Sequence, residues 1–299
     1  MADGRADPLS GLSGPTSHTY FSQRLRLHYL DWGNAEAPPL LLVHGNRDHA
    51  HNWDWVAERL RDEYHVVALD LRGHGDSQWS AGASYGMADY VYDLAQLIHQ
   101  QQFGPLRIVA HSLGGYVALR YAGVFPEHVV RVVVVEGTGP PVVPVEQRDS
   151  PPLRYRRWIE SGQALACRIP RRYPSLDEAF ARMQEANPHL SPEQARHLTV
   201  HGVNQNEDGS YSWKFDNAVH GTGMLDLGPE ETRQIWQNIA CPVLLVYGSE
   251  SWQQGWADPA DVAPYFADAH AEIVAHAGHW VQHDQLDAFV ALVRSFLAD

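Results

Sequence analysis

This 299-residue chain is short of the features that mark secreted, membrane-bound or nucleic-acid-binding proteins. It has two cysteines, Cys167 and Cys241, too few for a disulfide framework at this length; a reducing cytoplasm fits, with room for a single bridge. No apolar stretch reaches the ~18 residues of a membrane span, and Met1 to Ser10 lacks the apolar run of a signal peptide. A soluble, unexported protein with no membrane span is therefore expected. Basic residues are scarce, 22 Lys and Arg against 36 Asp and Glu for a net charge of −14, which argues against nucleic acid or anionic lipid as the main partner. The 44% hydrophobic content is ample for a packed core.

What is present is a series of short aliphatic runs: Leu40–Val43, Val66–Leu69, Leu106–Val109, Val129–Val135 and Val243–Val246. Runs of this kind, bounded by turn residues, suit strands buried on both faces of a parallel sheet. Helical patterns lie between them, with Val91, Leu94, Ala95 and Ile98, and again Leu286, Phe289, Val290 and Val293, at i, i+3, i+4 and i+7. This alternation predicts an α/β fold with a doubly wound, mostly parallel sheet. It breaks after residue 138, where a Pro-rich entry and polar, Arg-rich segments follow. Residues 139–231 are therefore expected to form a helical cap over the carboxyl edge of a core made of 18–138 and 232–299, where open α/β sheets bind ligands. Residues 1–17, rich in Gly, Pro, Ser and Asp, are expected to be a mobile tail.

The strongest chemical signal is Ile108-Val-Ala-His-Ser-Leu-Gly-Gly115, a buried strand leading through a tight turn at Ser112 into a helix. A nucleophile elbow needs small residues on both sides of a serine held in strained geometry, and Ala110 is small enough for the place usually taken by glycine. Leu41-Leu-Val-His-Gly-Asn46 ends an earlier strand in a turn that can present the Asn46 N–H as one oxyanion donor, with the Leu113 N–H as the second. Among eighteen histidines, His279 is the preferred general base, because Ala277-Gly-His-Trp280 lies between the strand pattern at Glu272–Val274 and the last helix, at the sheet edge of Ser112. His276 and His283 are its rivals.

These motifs resemble the α/β-hydrolase superfamily over roughly residues 25–138 and 236–299. His44-Gly-Asn, Asp70-Leu-Arg-Gly-His-Gly-Asp-Ser77, the Ser112 elbow and Gly278-His279 stand in that family's order, and Asn187-Pro-His-Leu-Ser191 more narrowly resembles a segment of serine-hydrolase-like proteins. The resemblance implies a Ser, acid, His triad that cleaves a small-molecule carboxylic ester through an acyl-enzyme, without a cofactor. A lactonase, a C–C bond hydrolase and a non-catalytic small-molecule receptor are the alternatives. His-Gly-Asn is also similar to haloalkane dehalogenases, but those use an aspartate where this chain has Ser112, and a halide-holding Trp where it has Leu113. The family's usual acid position, three residues past Gly248, is Ser251 here, which carries no charge. Glu136, after the four valines, is the preferred acid, as in dehalogenases of similar pattern; Glu250 is the alternative. Trp158 and Trp213 are candidate substrate-binding residues. Asp48, His51 and Asp54 have metal-ligand types but an incomplete pattern, so a surface loop and no metal are expected. His74 is expected to be structural, and the cap arginines, Arg148 to Arg172, to be a solvated face.

Overall fold

The computed structural model describes residues 14–138, 149–166, 168–220, 227–253 and 259–298. In chain order its elements are β1 (Thr16–Ser22), β2 (Leu25–Asp31), β3 (Pro39–Val43), α1 (Asp54–Leu60), β4 (His65–Leu69), α2 (Met87–Gln100), β5 (Leu106–His111), α3 (Leu113–Val124) and β6 (Val129–Val135). Then come α4 (Pro151–Ala166), α5 (Leu176–Ala186), α6 (Pro192–Gly202), a hairpin of β7 (Val203–Gln205) and β8 (Tyr211–Trp213), and α7 (Pro229–Gln237). The chain closes with β9 (Val243–Gly248), α8 (Pro259–Val262), β10 (Ala269–Val274), α9 (Val281–Asp284) and α10 (Leu286–Ala298).

Eight strands form one sheet in the order β1-β2-β4-β3-β5-β6-β9-β10. The β1/β2 and β2/β4 pairs are antiparallel and the rest are parallel. The central strands are apolar throughout because both their faces are covered. In β6, Val132 and Val134 join the cluster containing Leu94, Ile98 and Tyr121, whereas Val133 and Val135 join the one containing Trp53, Phe289 and Val293. The doubly wound sheet expected from the aliphatic runs is thus present.

Three local expectations need correction. β1 begins at Thr16, inside the expected tail, and pairs along its length with β2; as an edge strand it buries only Tyr20 and Ser22, so it leaves little apolar pattern to read. Residues 1–13 lie outside the described residues. The β7/β8 hairpin interrupts the stretch between β6 and β9 that was read as helical, its strands being three residues each. Asp48 to Trp53 is no surface loop: Asp48, His49, Ala50, Asn52 and Trp53 are buried, the last three in a 3₁₀ turn that enters α1. Among the described residues, no helix is long and apolar enough to cross a membrane.

The Asp70–Ser77 turn anchors the loops at the carboxyl edge. The buried Asp70 carboxylate accepts hydrogen bonds from the Ala50 N–H at 2.6 Å and the Asp76 N–H at 2.9 Å, and pairs with His28 Nδ1 at 2.6 Å. Gly75 passes so close to it at φ 51° that a Cβ there would lie 2.1 Å from a carboxylate oxygen. Arg72 is clamped on Asp93 by two bonds, of 2.6 and 2.7 Å. His74 is fully buried, with Nδ1 2.9 Å from the Arg72 carbonyl.

Candidate active site

Between the end of β5 and the start of α3, Ser112 has φ 50° and ψ −117°, a backbone that L residues avoid. The neighbouring packing around the turn is tight. A Cβ on Gly114 would lie 2.5 Å from the carbonyl oxygens of Val43 and His44, and one on Gly137 would lie 2.7 Å from the Ser112 carbonyl. α3 can therefore start directly beneath β3, and its first N–H, that of Leu113, lies next to the serine. Ser112 N–H bonds to the Val135 carbonyl at 2.8 Å, tying the elbow to β6.

Glu136 follows β6 immediately, also at positive φ, 52°, and its carboxylate is 1% exposed. The Gly248 N–H donates to Oε1 at 2.7 Å and the Ser251 hydroxyl to Oε2 at 2.7 Å. His279 Nδ1 stands 3.4 Å from the same Oε2. The loop carrying His279 is held from three sides. His111 Nε2–H donates to the His279 carbonyl at 2.9 Å, the Gly278 N–H donates to Asp284 at 2.7 Å, and the Glu250 N–H donates to the Ala277 carbonyl at 2.8 Å. Trp252 leans over the His279 ring with centroids 4.9 Å apart. Burial, reinforced by the neighbouring His279, pushes His111 well below the ordinary histidine range, so it is a neutral donor through Nε2.

Ser112 and His279 open on one cavity of about 690 Å³, which Asn46, Trp213, Phe215, Trp252 and Trp280 also line. α5 and the turn after it also line it, with Arg182, Met183 and Asn187 to Leu190. The segment that resembles serine-hydrolase-like proteins thus borders the cavity on which Ser112 opens.

The other candidates fall elsewhere. Glu250 lies at the cavity margin and pairs with the exposed His276 at 3.2 Å, far out on the surface relative to Glu136. His283 is buried between Trp55 and Trp280. Of the two tryptophans singled out, Trp213 lines the cavity, stacked on Phe215 at an 8° interplanar angle. Trp158 does not: it sits half-exposed on α4, a helix with no buried side chain among its described residues. Trp236 is core, stacked on Phe266. Arg154, Arg156, Arg157, Arg171 and Arg172 are exposed, and Arg148 lies outside the described residues.

Sequence reasoning missed His111 and Ser251. Both sit inside motifs already identified, but only as the unspecified residue of A-x-S-x-G and as the neutral occupant of the usual acid position.

Comparison with known proteins agrees with this fold. The family model described as "Alpha/beta hydrolase family" matches residues 40–292. The chain is 27% identical to the esterase Rv0045c of Mycobacterium tuberculosis, over 96% of this chain and 92% of that one. It is 24% identical to the serine hydrolase-like protein of Danio rerio, over 89% and 83%. Its fold matches the thioesterase domain from the curacin biosynthetic pathway with a TM-score of 0.82 at 23% identity, covering 94% of this chain and 99% of that one. With a family model spanning most of its length, the chain belongs to the alpha/beta hydrolase family.

Proposed function

We propose that this hydrolase is a serine esterase that cleaves a small-molecule carboxylic ester through an acyl-enzyme. The observation that carries the reading is the strained Ser112 sharing a cavity with His279, whose other face meets the buried Glu136 carboxylate. In this mechanism His279 takes the Ser112 proton through Nε2 as the hydroxyl oxygen attacks the ester carbonyl. Glu136 Oε2 accepts from Nδ1–H, which fixes the tautomer and stabilises the imidazolium. The Asn46 and Leu113 N–H groups hold the oxyanion. Collapse of the tetrahedral intermediate expels the alcohol, protonated by His279. Water, deprotonated by the same ring, then attacks the acyl-enzyme and frees the acid and the serine.

In this reading residues 139–231 are the cap, whose described part carries α4, α5, α6 and the β7/β8 hairpin. Trp213, Phe215, Trp252 and Trp280 supply an apolar wall that suits an acyl chain or aromatic group. Gly137, with its close approach to the elbow, and β6 before it belong to the core.

The test is a fluorophosphonate probe followed by a p-nitrophenyl ester chain-length series. Wild-type protein labels and turns over esters; Ser112→Ala, still folded, does neither, with kcat lower by several orders of magnitude. Undiminished labelling of Ser112→Ala would sink the assignment. A chain that hydrolyses no ester, thioester or lactone, yet gains thermal stability from such a ligand, is a receptor instead.

A further inference from the structure

Away from Ser112, the polar turn before α1 meets α6. His51 Nδ1 lies 2.8 Å and His197 Nε2 2.9 Å from the same oxygen of Asp54, Oδ2. The His201 ring stacks on His51 at 3.7 Å between centroids and lies 4.6 Å from that of His197. The four residues each offer one ligand atom, and these atoms all lie within 4.8 Å of one another. His197 and His201 are i and i+4 on one face of α6, the spacing by which a helix presents two imidazoles to one ion. His51 and Asp54 belong to the core side of the same contact. Asp48, His51 and Asp54 lacked a complete ligand pattern in the sequence, and α6 supplies what was missing.

The cluster is hard to account for as packing alone. Three imidazoles converge on one carboxylate, whose second oxygen, Oδ1, is buried with no hydrogen-bond partner among the described residues. All four side chains are partly exposed, so an ion has a route in. The remaining three-residue group, His28, Asp70 and Asp76, offers no such opening, because Asp70 is already saturated by His28 and two backbone N–H groups.

We propose that His51, Asp54, His197 and His201 form a transition-metal site with Zn²⁺ as its occupant. Three nitrogens and one carboxylate oxygen favour Zn²⁺ over Mg²⁺ or Ca²⁺, which need oxygen shells. A tetrahedron with bonds of about 2.0–2.1 Å has edges of about 3.3 Å, so the site closes by small side-chain movements, and the rings shift their N–H to the nitrogen facing away from the ion. The ion joins two parts of the chain 143 residues apart, as in the His197–Asp54 contact. It therefore clamps α6 to the core. The turn that α6 follows, Asn187 to Leu190, lines the Ser112 cavity, so the clamp steadies part of that cavity's wall.

The experiment uses the full, untagged chain after chelator treatment, titrated with Co²⁺ and then Zn²⁺. The expected result is one Co²⁺ per chain with the intense visible d–d bands of a tetrahedral site, displaced by one Zn²⁺, and a Tm rise of roughly 5 °C at about 100-fold excess over Kd. His197→Gln and His201→Gln each weaken binding by at least about tenfold and abolish the tetrahedral spectrum, whereas His276→Gln leaves both unchanged. Should either helix variant unfold, His51→Gln gives the same test from the core side. Absence of tetrahedral one-to-one binding to the wild type, or undiminished affinity in these variants, overturns the proposal. Neither readout depends on esterase activity.

Discussion

The buried histidines His44, His49, His111 and His283 make this fold sensitive to mild acid. Burial, with His74 beside it, lowers His44 to about 3; burial also lowers His49 to about 4 and His283 to about 3, and it drives His111 well down. The contacts agree with neutral rings. His44 Nε2 accepts the Leu71 N–H at 3.0 Å while Nδ1 faces the Gly45 carbonyl at 2.6 Å, so the ring has no lone pair left for a proton. Neither ring nitrogen of His283 has a partner among the described residues. Each folded value lies below the ~6.5 of an unfolded chain, so above about pH 6.5 neither state carries the proton and the full stability is present. As the pH falls below that value, the unfolded chain takes up protons that the native state refuses, and stability is lost. Each such ring costs up to about 1.4 kcal/mol per pH unit. Asp48 opposes in direction, because burial raises its carboxyl well above the usual range. His44, His49 and His283 alone give a loss of up to about 4 kcal/mol per pH unit, against a total stability on the order of 5–15 kcal/mol. Urea unfolding followed by tryptophan fluorescence should show a midpoint that falls steeply between about pH 6.5 and pH 5 with little change in m. In His283→Leu the slope should drop by about one proton, roughly 1.4 kcal/mol per pH unit. A midpoint that is the same at about pH 7 and pH 5 would refute the reasoning.

Three further outcomes concern the site. Glu136→Gln should lower kcat by about 10⁴ with Ser112 in place, whereas Glu250→Gln, removing only a surface pair with His276, should change it less than about tenfold, measured on a p-nitrophenyl ester. His111→Leu should leave the fold intact but release the loop held through the His279 carbonyl, lowering kcat about 10-fold or more with little change in KM; an unaltered kcat would remove His111 from the positioning machinery. Trp213→Ala should shift the chain-length optimum, and Trp158→Ala should not, since only the first lines the cavity.

The parts of this molecule legible in the sequence are those set by local pattern. The valines of β6 announce a strand covered on both faces, and the small residues around Ser112 announce an elbow because no bulky side chain fits against Val43 and His44. What was not legible depends on contacts across long stretches of chain. Asp48 and His49 read as surface residues until α6 covers them, with His49 Nε2 on the Leu198 carbonyl at 2.9 Å. Trp158 and Trp213 are equally apolar in the sequence, and only the placement of β8 and α4 tells them apart. The valines before Glu136 favour it over Glu250 in the sequence, but only the tertiary fold shows that its carboxylate is buried while that of Glu250 is half-exposed.

The acid's position carries a more demanding prediction. β6 and β9 are adjacent and parallel, with Val135 opposite Val246, so residues just beyond either strand reach the same edge of the sheet. In the chain as it stands, the family's usual position on the β9 side holds Ser251, whose hydroxyl lies 2.7 Å from Glu136 Oε2, the oxygen that faces His279. A carboxylate at 251 would therefore extend to within reach of the same ring. Glu136→Ser alone should cost about 10⁴ in kcat, because His279 loses the acceptor that orients it. Adding Ser251→Asp to that variant should restore at least about tenfold, since the new carboxylate approaches from the neighbouring strand and one serine still supplies a hydroxyl to hold it. Ser251→Asp by itself should behave oppositely. Two carboxylates within a few ångströms in a buried pocket cannot both ionise cheaply, so the pair holds a proton to higher pH and the acidic limb of the rate profile moves up. A folded double variant no faster than Glu136→Ser would show that the β9 edge cannot carry the charge to His279 in this chain, and that Glu136 acts through the geometry of its own strand end rather than through charge placed nearby.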